Sequence, residues 1–172
     1  MEGSTATDTG VTMAGHIIHV HGTIPAPPEQ VWEVITDIAH ADDVLRSVSE
    51  PYLLTEGEYD VGTTWRERRT LFGHHGPEEL QVVESEPPRR TVIEAEVGHD
   101  VIRTAYRLTP AGPDHRDTRL AMTTTVVMSG RSPMSRAMWA MFGGFSYDRT
   151  RRVLEHDLED IEAEACRRAL SA

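Results

Sequence analysis

The chain has 172 residues, of which 38% are hydrophobic and 26% are charged, as expected of one globular domain. Its net charge of −11 argues against a nucleic-acid surface, and no stretch is long and apolar enough to span a membrane. The single cysteine, Cys166, excludes an intrachain disulfide and fits a reducing compartment, so we expect a cytoplasmic protein.

The first elements follow a leader. Residues 1–15 are rich in Thr, Gly and Ser, and we expect them to be disordered before a single domain at 16–170. Residues 16–24 alternate apolar and polar side chains, which predicts a half-buried strand. Prolines at 25, 27 and 28 end it and introduce a helix with an apolar stripe. A short second helix is expected over 42–47.

Six strand-like segments follow Pro51, each closed by residues typical of turns. They are 52–55, 63–72, 79–84, 91–97, 101–108 and 118–128. Several of the intervening loops are short enough for hairpins, which predicts an antiparallel meander.

The end of the chain predicts one long helical segment, 132–169, which starts at Ser132-Pro133. An apolar Met/Phe stripe in its first part lies nearly opposite the Leu/Ile stripe of its second part. Because Gly143-Gly144 separates the two stripes, we expect a kink there, or two helices, with the first part acting as a lid. The alternative is a straight helix whose Met/Phe face is covered by a second subunit, that is, a homodimer.

Several local motifs, taken in order, carry a resemblance to a known family. Residues 24–37 read IPAPPEQVWEVITD, and GTTWR, ESEPPRR and DTRL follow at 62–66, 84–90 and 117–120. The pattern of Leu154, Asp157, Leu158 and Ile161 completes the series. In these features the chain resembles the START-like (SRPBCC, helix-grip) superfamily, in its polyketide cyclase/dehydrase-like branch, over roughly residues 16–169.

The resemblance implies an α+β fold. A curved antiparallel sheet of about seven strands would wrap around the long C-terminal helix, with two short helices after the first strand and a ligand cavity between sheet and helix. Members of the superfamily bind lipids, sterols, quinones or plant metabolites, cyclise polyketides, or serve as co-chaperones.

The most informative strand for chemistry is 62–72. If Trp65 faces the helix, the two-residue period of a strand brings Glu67 and Arg69 inside with it, while Arg66 and Arg68 face out. Buried together, Glu67 and Arg69 could orient a carbonyl or enolate and move a proton. The alternative is that the strand twists near an edge and both charges reach water.

Other side chains are expected to line the cavity by strand phase. Tyr106 is in phase with Thr104 and should point inward, either as a hydrogen-bond donor to a ligand or as an ordinary core tyrosine. Met122 and Thr124 are expected in the wall beside it. An apolar cluster in the first part of the long helical segment either lines the ligand site, where its flexible side chains can adapt to a ligand, or belongs to the hydrophobic core. Its members are Met138, Met141, Phe142 and Phe145, with Trp139 between them.

Metal and cofactor chemistry receive no support from the sequence. Neither His19 with His21 nor His74-His75 has a carboxylate or Cys at ligand spacing, so we expect surface histidines, no metal and no cofactor. The acidic residues from Glu155 to Glu164 are interpreted as a solvated helix face.

Two functions remain open at this point. One is a cofactor-independent enzyme of the polyketide cyclase/dehydrase type in metabolite biosynthesis, with Glu67, Arg69 and Tyr106 as catalytic groups. The other is a non-catalytic carrier of a lipid or other hydrophobic metabolite, and a protein-interaction module is a distant third. A catalytic pocket should hold convergent polar groups, whereas a carrier pocket should be nearly all apolar.

Overall fold

A computed structural model describes residues 14–69, 76–97, 100–128 and 133–171. For residues 14–16, 97, 128 and 133–146 it describes the backbone only. Statements about side chains below concern the other described residues.

Seven strands form one antiparallel sheet in the order β1-β7-β6-β5-β4-β3-β2. The strands are β1 (Ala14–Ile24), β2 (Ser49–Leu53), β3 (Thr64–Arg68), β4 (Pro77–Glu86), β5 (Arg90–Val97), β6 (Asp100–Ala111) and β7 (Asp117–Met128). All neighbours are consecutive in the chain except β1 and β7, and register shifts in β1, β2 and β4 interrupt the ladders. Such bulges bend a sheet. The predicted meander is confirmed.

Three helices and a 3₁₀ turn cover one face of this sheet. They are α1 (Pro28–Thr36), the 3₁₀ turn (Ile38–His40), α2 (Ala41–Val44) and α3 (Pro133–Ala169). Both α1 and α3 begin with proline, whose fixed φ and missing N–H suit the first helical position. The helix-grip fold predicted from the sequence is therefore confirmed.

Helix α3 lies against β1, and Gly22 allows the close approach. A Cβ built on Gly22 would lie 3.1 Å from Cδ2 of Leu158, so a larger residue would require the Leu158 side chain or the helix to shift. Ile18, Val20 and Ile24 of the same strand are buried, while His19 and His21 are exposed, as their alternation predicts.

The predicted division of the long helix is wrong in its two-helix form, because α3 runs as one helix through Gly143-Gly144. The side chains of Met138, Met141, Phe142 and Phe145 lie outside those described, so their place in a lid or cavity wall stays a prediction. Among the described residues, no helix is long and apolar enough to cross a membrane.

Candidate functional site

A cavity of about 60 Å³ lies between the sheet, the α1–α2 region and α3. Its wall is mainly apolar, with side chains from α1 and α2 facing those of the central strands and Ile161 of α3. The apolar strand residues are Trp65, Leu80, Ile93, Ala95 and Ile102. Four polar side chains share this wall, and they are Glu67, Arg69, Thr104 and Tyr106.

Strand β3 brings the indole of Trp65 and the carboxylate of Glu67 together at the cavity. Trp65 and Glu67 alternate inward and are 2% and 4% exposed, while Arg66 and Arg68 between and after them face solvent. The Nε1–H of Trp65 donates a hydrogen bond of 2.8 Å to Oε2 of Glu67. The indole thus fixes the carboxylate at the cavity wall.

Arg69 follows directly after β3 and carries the buried positive charge of the site. Its Nη1 donates to Oδ2 of Asp157 at 2.9 Å, and its Nε lies 3.1 Å from Oε1 of Glu67. The second contact is an ion pair without hydrogen-bond geometry, because Nε has no hydrogen-bond partner among the described residues. Burial acts to lower the pKa of Arg69, but the charges of Asp157 and Glu67 outweigh it and raise that pKa, so the guanidinium stays charged.

Asp157 corrects the interpretation of the acidic helix face. It is 1% exposed and accepts a second hydrogen bond of 2.5 Å from Oγ of Ser47, so it is not solvated. The signal was present in the sequence, because Asp157 lies three residues after Leu154 and four before Ile161, on the buried stripe of α3. A carboxylate on such a stripe needs a buried partner.

Tyr106 projects from β6 into the same cavity and is 7% exposed. Burial raises its pKa to about 12, although the neighbouring Arg69 acts in the opposite direction. At neutral pH the phenol therefore keeps its proton and is available as a hydrogen-bond donor.

Glu78 is a further buried acid that the sequence interpretation missed. It lies directly opposite Glu67 in the β3–β4 ladder, is 7% exposed, and its Oε1 has no hydrogen-bond partner in the described part of the chain. Burial and then the charge of Glu67 raise its pKa to about 7. The predicted strand began at residue 79, which left Glu78 outside the inward-facing series of Leu80 and Val82.

Two of the expected wall residues do not reach the cavity. Met122 and Thr124 of β7 are fully buried but are not among the described residues that line it. Met122 belongs to the hydrophobic core, and the Thr124 hydroxyl lies 3.0 Å from that of Thr104 across the β6–β7 ladder. The physical reason is position in the sheet, since β7 lies one strand further from β3 than β6 does.

Within the described part of the chain, no group of three or more His, Cys, Asp or Glu side chains is placed to hold a metal ion. The rings of His19 and His21 stack with their centroids 5.5 Å apart on the outer face of β1, away from the cavity.

The fold and the site define a class of protein: a curved sheet gripping a long helix, with a mainly apolar cavity that ends in charged groups. The family described as "Polyketide cyclase / dehydrase and lipid transport" matches residues 16–168, and the chain belongs to this family.

Solved structures share the fold. TTHA0849 from Thermus thermophilus is 17% identical with a TM-score of 0.71, covering 90% of this chain and 99% of its own. The Zhui aromatase/cyclase from Streptomyces sp. R1128 is 22% identical with a TM-score of 0.60, covering 89% and 96%. A START superfamily protein from Mycobacterium smegmatis is 16% identical with a TM-score of 0.58, covering 86% and 99%. A search among curated proteins finds no match.

Proposed function

We propose that this chain binds a hydrophobic small molecule in the cavity and acts on it as a cofactor-independent enzyme of the cyclase/dehydrase type. The observation that carries the proposal is the buried group of Glu67, Arg69 and Asp157 beside Tyr106, at the wall of an otherwise apolar cavity. Removing such charges from water costs free energy, and a cavity that only carried an apolar molecule would have no use for them.

The proposed chemistry is an intramolecular aldol condensation followed by loss of water. A substrate carbonyl oxygen accepts a hydrogen bond from the Tyr106 hydroxyl and faces the Arg69 guanidinium. Together these two groups stabilise the negative charge that this oxygen carries in the enolate. The carboxylate of Glu67 accepts the proton from the carbon next to that carbonyl. The enolate carbon then forms a bond to a second carbonyl carbon, whose oxygen takes up the proton held by Glu67 and becomes a hydroxyl group. Glu67 then removes a second proton from the former enolate carbon and passes it to this hydroxyl, which leaves as water as the carbon–carbon double bond forms. The cavity contributes further to the rate by holding the two reacting carbons of the substrate close together and correctly oriented.

A substrate that cyclises by this route gives a direct test. The probe is 2-(2-oxopropyl)benzaldehyde, which loses one water on aldol closure to give 2-naphthol, and naphthol fluorescence reports the product. We expect the protein to accelerate this reaction and Tyr106→Phe to lower the rate by roughly 10²-fold, since one hydrogen bond to the developing charge is lost.

Arg68→Ala is the matched control, because Arg68 is exposed and pairs with Glu50 on the outside of the sheet. It should leave the rate unchanged. Equal losses in the two variants, or no acceleration by the unmodified chain while the probe binds, would contradict an enzymatic role and favour a carrier.

A further inference from the structure

The charges around Arg69 restrict which ligands the cavity can take. We infer that the polar group of the ligand that meets Arg69 carries no negative charge, so that the cavity takes ketones, aldehydes, amides or alcohols and excludes carboxylates. The inference rests on the proposed function, namely a hydrophobic ligand in this cavity, and adds the chemical class of its polar end.

The charge count around the guanidinium supports this restriction. Arg69 is the only Lys or Arg among the described residues that line the cavity. Two carboxylates already compensate it, with Asp157 at 2.9 Å and Glu67 at 3.1 Å. One positive and two negative charges leave an excess of one negative charge in a region that water hardly reaches, since Glu67 and Asp157 are 4% and 1% exposed.

The geometry of the guanidinium leads to the same conclusion. An arginine that binds a carboxylate ligand presents two free N–H groups to it as a fork. In Arg69, Nη1 is bonded to Asp157 and Nε faces Glu67, so both of these nitrogens face acids of the protein itself. A ligand can share the remaining hydrogen-bonding capacity through a neutral oxygen.

Glu78 adds further negative potential at pH 7.5, where it is mostly ionised because its pKa is raised only to about 7. It is buried, lies opposite Glu67 in the ladder, and its Oε1 has no partner within residues 14–69, 76–97, 100–128 and 133–171. No described cation approaches it within ion-pair distance, and Arg69 is the cation whose charge it experiences. A ligand carboxylate would therefore join a cluster of three acids and one base, where like charges strongly disfavour binding.

Three probes that share one benzene ring separate charge from shape. Benzamide and benzoate are nearly isosteric, and toluene supplies the ring without a polar group. Their dissociation constants are measured at pH 7.5 by titration calorimetry on the full chain. We expect benzamide to bind at least about 10-fold more tightly than benzoate, which corresponds to one like-charge contact in a partly screened site.

The variant Asp157→Asn removes one negative charge and keeps an oxygen for Ser47. It should reduce the preference for benzamide over benzoate at least about threefold, as expected when the site becomes neutral. Glu162→Gln is the matched control, because it removes a negative charge from an exposed position of the same helix and should leave the preference unchanged. If Asp157→Asn does not fold, Glu67→Gln makes the same charge change and preserves an acceptor for Trp65.

The outcomes separate the two proposals. Benzoate binding as tightly as benzamide, or an unchanged preference in the folded charge variant, overturns this inference and leaves the proposed hydrophobic ligand standing. Absence of binding by all three probes overturns the proposed function, and this inference with it.

Discussion

Arg69 and Asp157 are 88 positions apart in the chain, and their side chains meet at 2.9 Å in the interior. Because Asp157 also accepts a hydrogen bond from Ser47, this single carboxylate joins the end of β3, the loop before β2 and the helix α3. The buried charges thus connect the cavity wall to the long helix that covers it.

Removing Arg69 should strongly destabilise the fold. Arg69→Ala leaves the carboxylates of Glu67 and Asp157 buried without a cation, and we expect a loss of about 3–5 kcal/mol in the free energy of unfolding. Arg68→Ala breaks only the exposed pair with Glu50 and should cost under about 1 kcal/mol. Urea denaturation of the two variants measures the difference, and similar losses would show that the buried pair contributes no more than the surface pair.

Glu78 should make stability depend on pH around neutrality. Its pKa is raised from 4.5 to about 7 in the folded chain, so between these pH values the folded state holds a proton that the unfolded state has released. This contribution to stability is complete below pH 4.5 and is lost as pH rises through 7, by at most about 3 kcal/mol.

Glu78→Gln mimics the protonated acid and tests this dependence. Thermal or urea unfolding between pH 5 and pH 8 should show the variant gaining stability over the unmodified chain as pH increases. Glu79→Gln is the control, because Glu79 is exposed and faces Arg66 on the outer side of the same strand. A stability difference between Glu78→Gln and the unmodified chain that stays constant over this range would rule out a proton held by Glu78.

Ligand entry should require movement of residues 37–47, here called the strap. The cavity of about 60 Å³ is smaller than the roughly 300–1,000 Å³ typical of ligand pockets, and four strap residues line it. They are Ile38, Ala41, Val44 and Leu45. The strap is held to α3 by Arg168 on Asp37 at one end and by Asp160 on Arg46 at the other, where the Arg46 backbone N–H also donates to Asp160 at 3.0 Å.

Arg46→Ala should therefore speed ligand association while leaving the stability of the fold almost unchanged, because the Arg46 side chain is 57% exposed. Stopped-flow binding of 2-naphthol measures the rate. The control Arg151→Ala removes a similarly exposed pair with Glu155 within α3 and should leave association unchanged. Identical association rates in both variants would show that the strap does not limit entry.

The contact between Gly22 and α3 should tolerate no branched side chain. Gly22→Val would place Cβ 3.1 Å from Cδ2 of Leu158 and add two methyl groups beside this contact, so we expect the free energy of unfolding to fall by about 1–3 kcal/mol. Thr23→Val is the control, since Thr23 faces solvent on the opposite side of β1. A Gly22→Val protein as stable as Thr23→Val would mean that the helix shifts without cost.

The inward direction of Trp65 and Glu67 could be predicted from sequence because strand alternation is local, and the structure places both at the cavity. Arg69 lies beyond the last residue of β3 and still keeps this phase. Its partner Asp157 could not be identified, because nothing local to α3 indicates which residue of the sheet will face a given turn of the helix. In the sequence, Asp157 could be recognised only as an acidic residue that interrupts the apolar stripe of α3.

Side-chain positions that depend on strand register were harder to predict from the sequence. The inward direction of Glu78 and its place opposite Glu67 follow from the register of the β3–β4 hairpin, which the sequence pattern alone did not determine. Met122 and Thr124 were expected to line the cavity and are fully buried in the structure, yet whether a buried residue touches the cavity or the core depends on where the helix lies across the sheet. The alternation of apolar and polar residues predicts which face of the sheet a side chain lies on, but not which part of the helix layer packs against it.

The pairing of β1 with β7 has a consequence for synthesis of the chain. Every other ladder joins consecutive strands, so β2 to β7 can pair as each emerges, whereas β1 has no neighbour until residues 117–128 are made. Long-range pairing of this kind slows folding, typically to milliseconds or longer. The apolar side of β1, with Ile18 and Val20, therefore stays uncovered during most of translation, and the sheet is completed only after its last strand has left the ribosome.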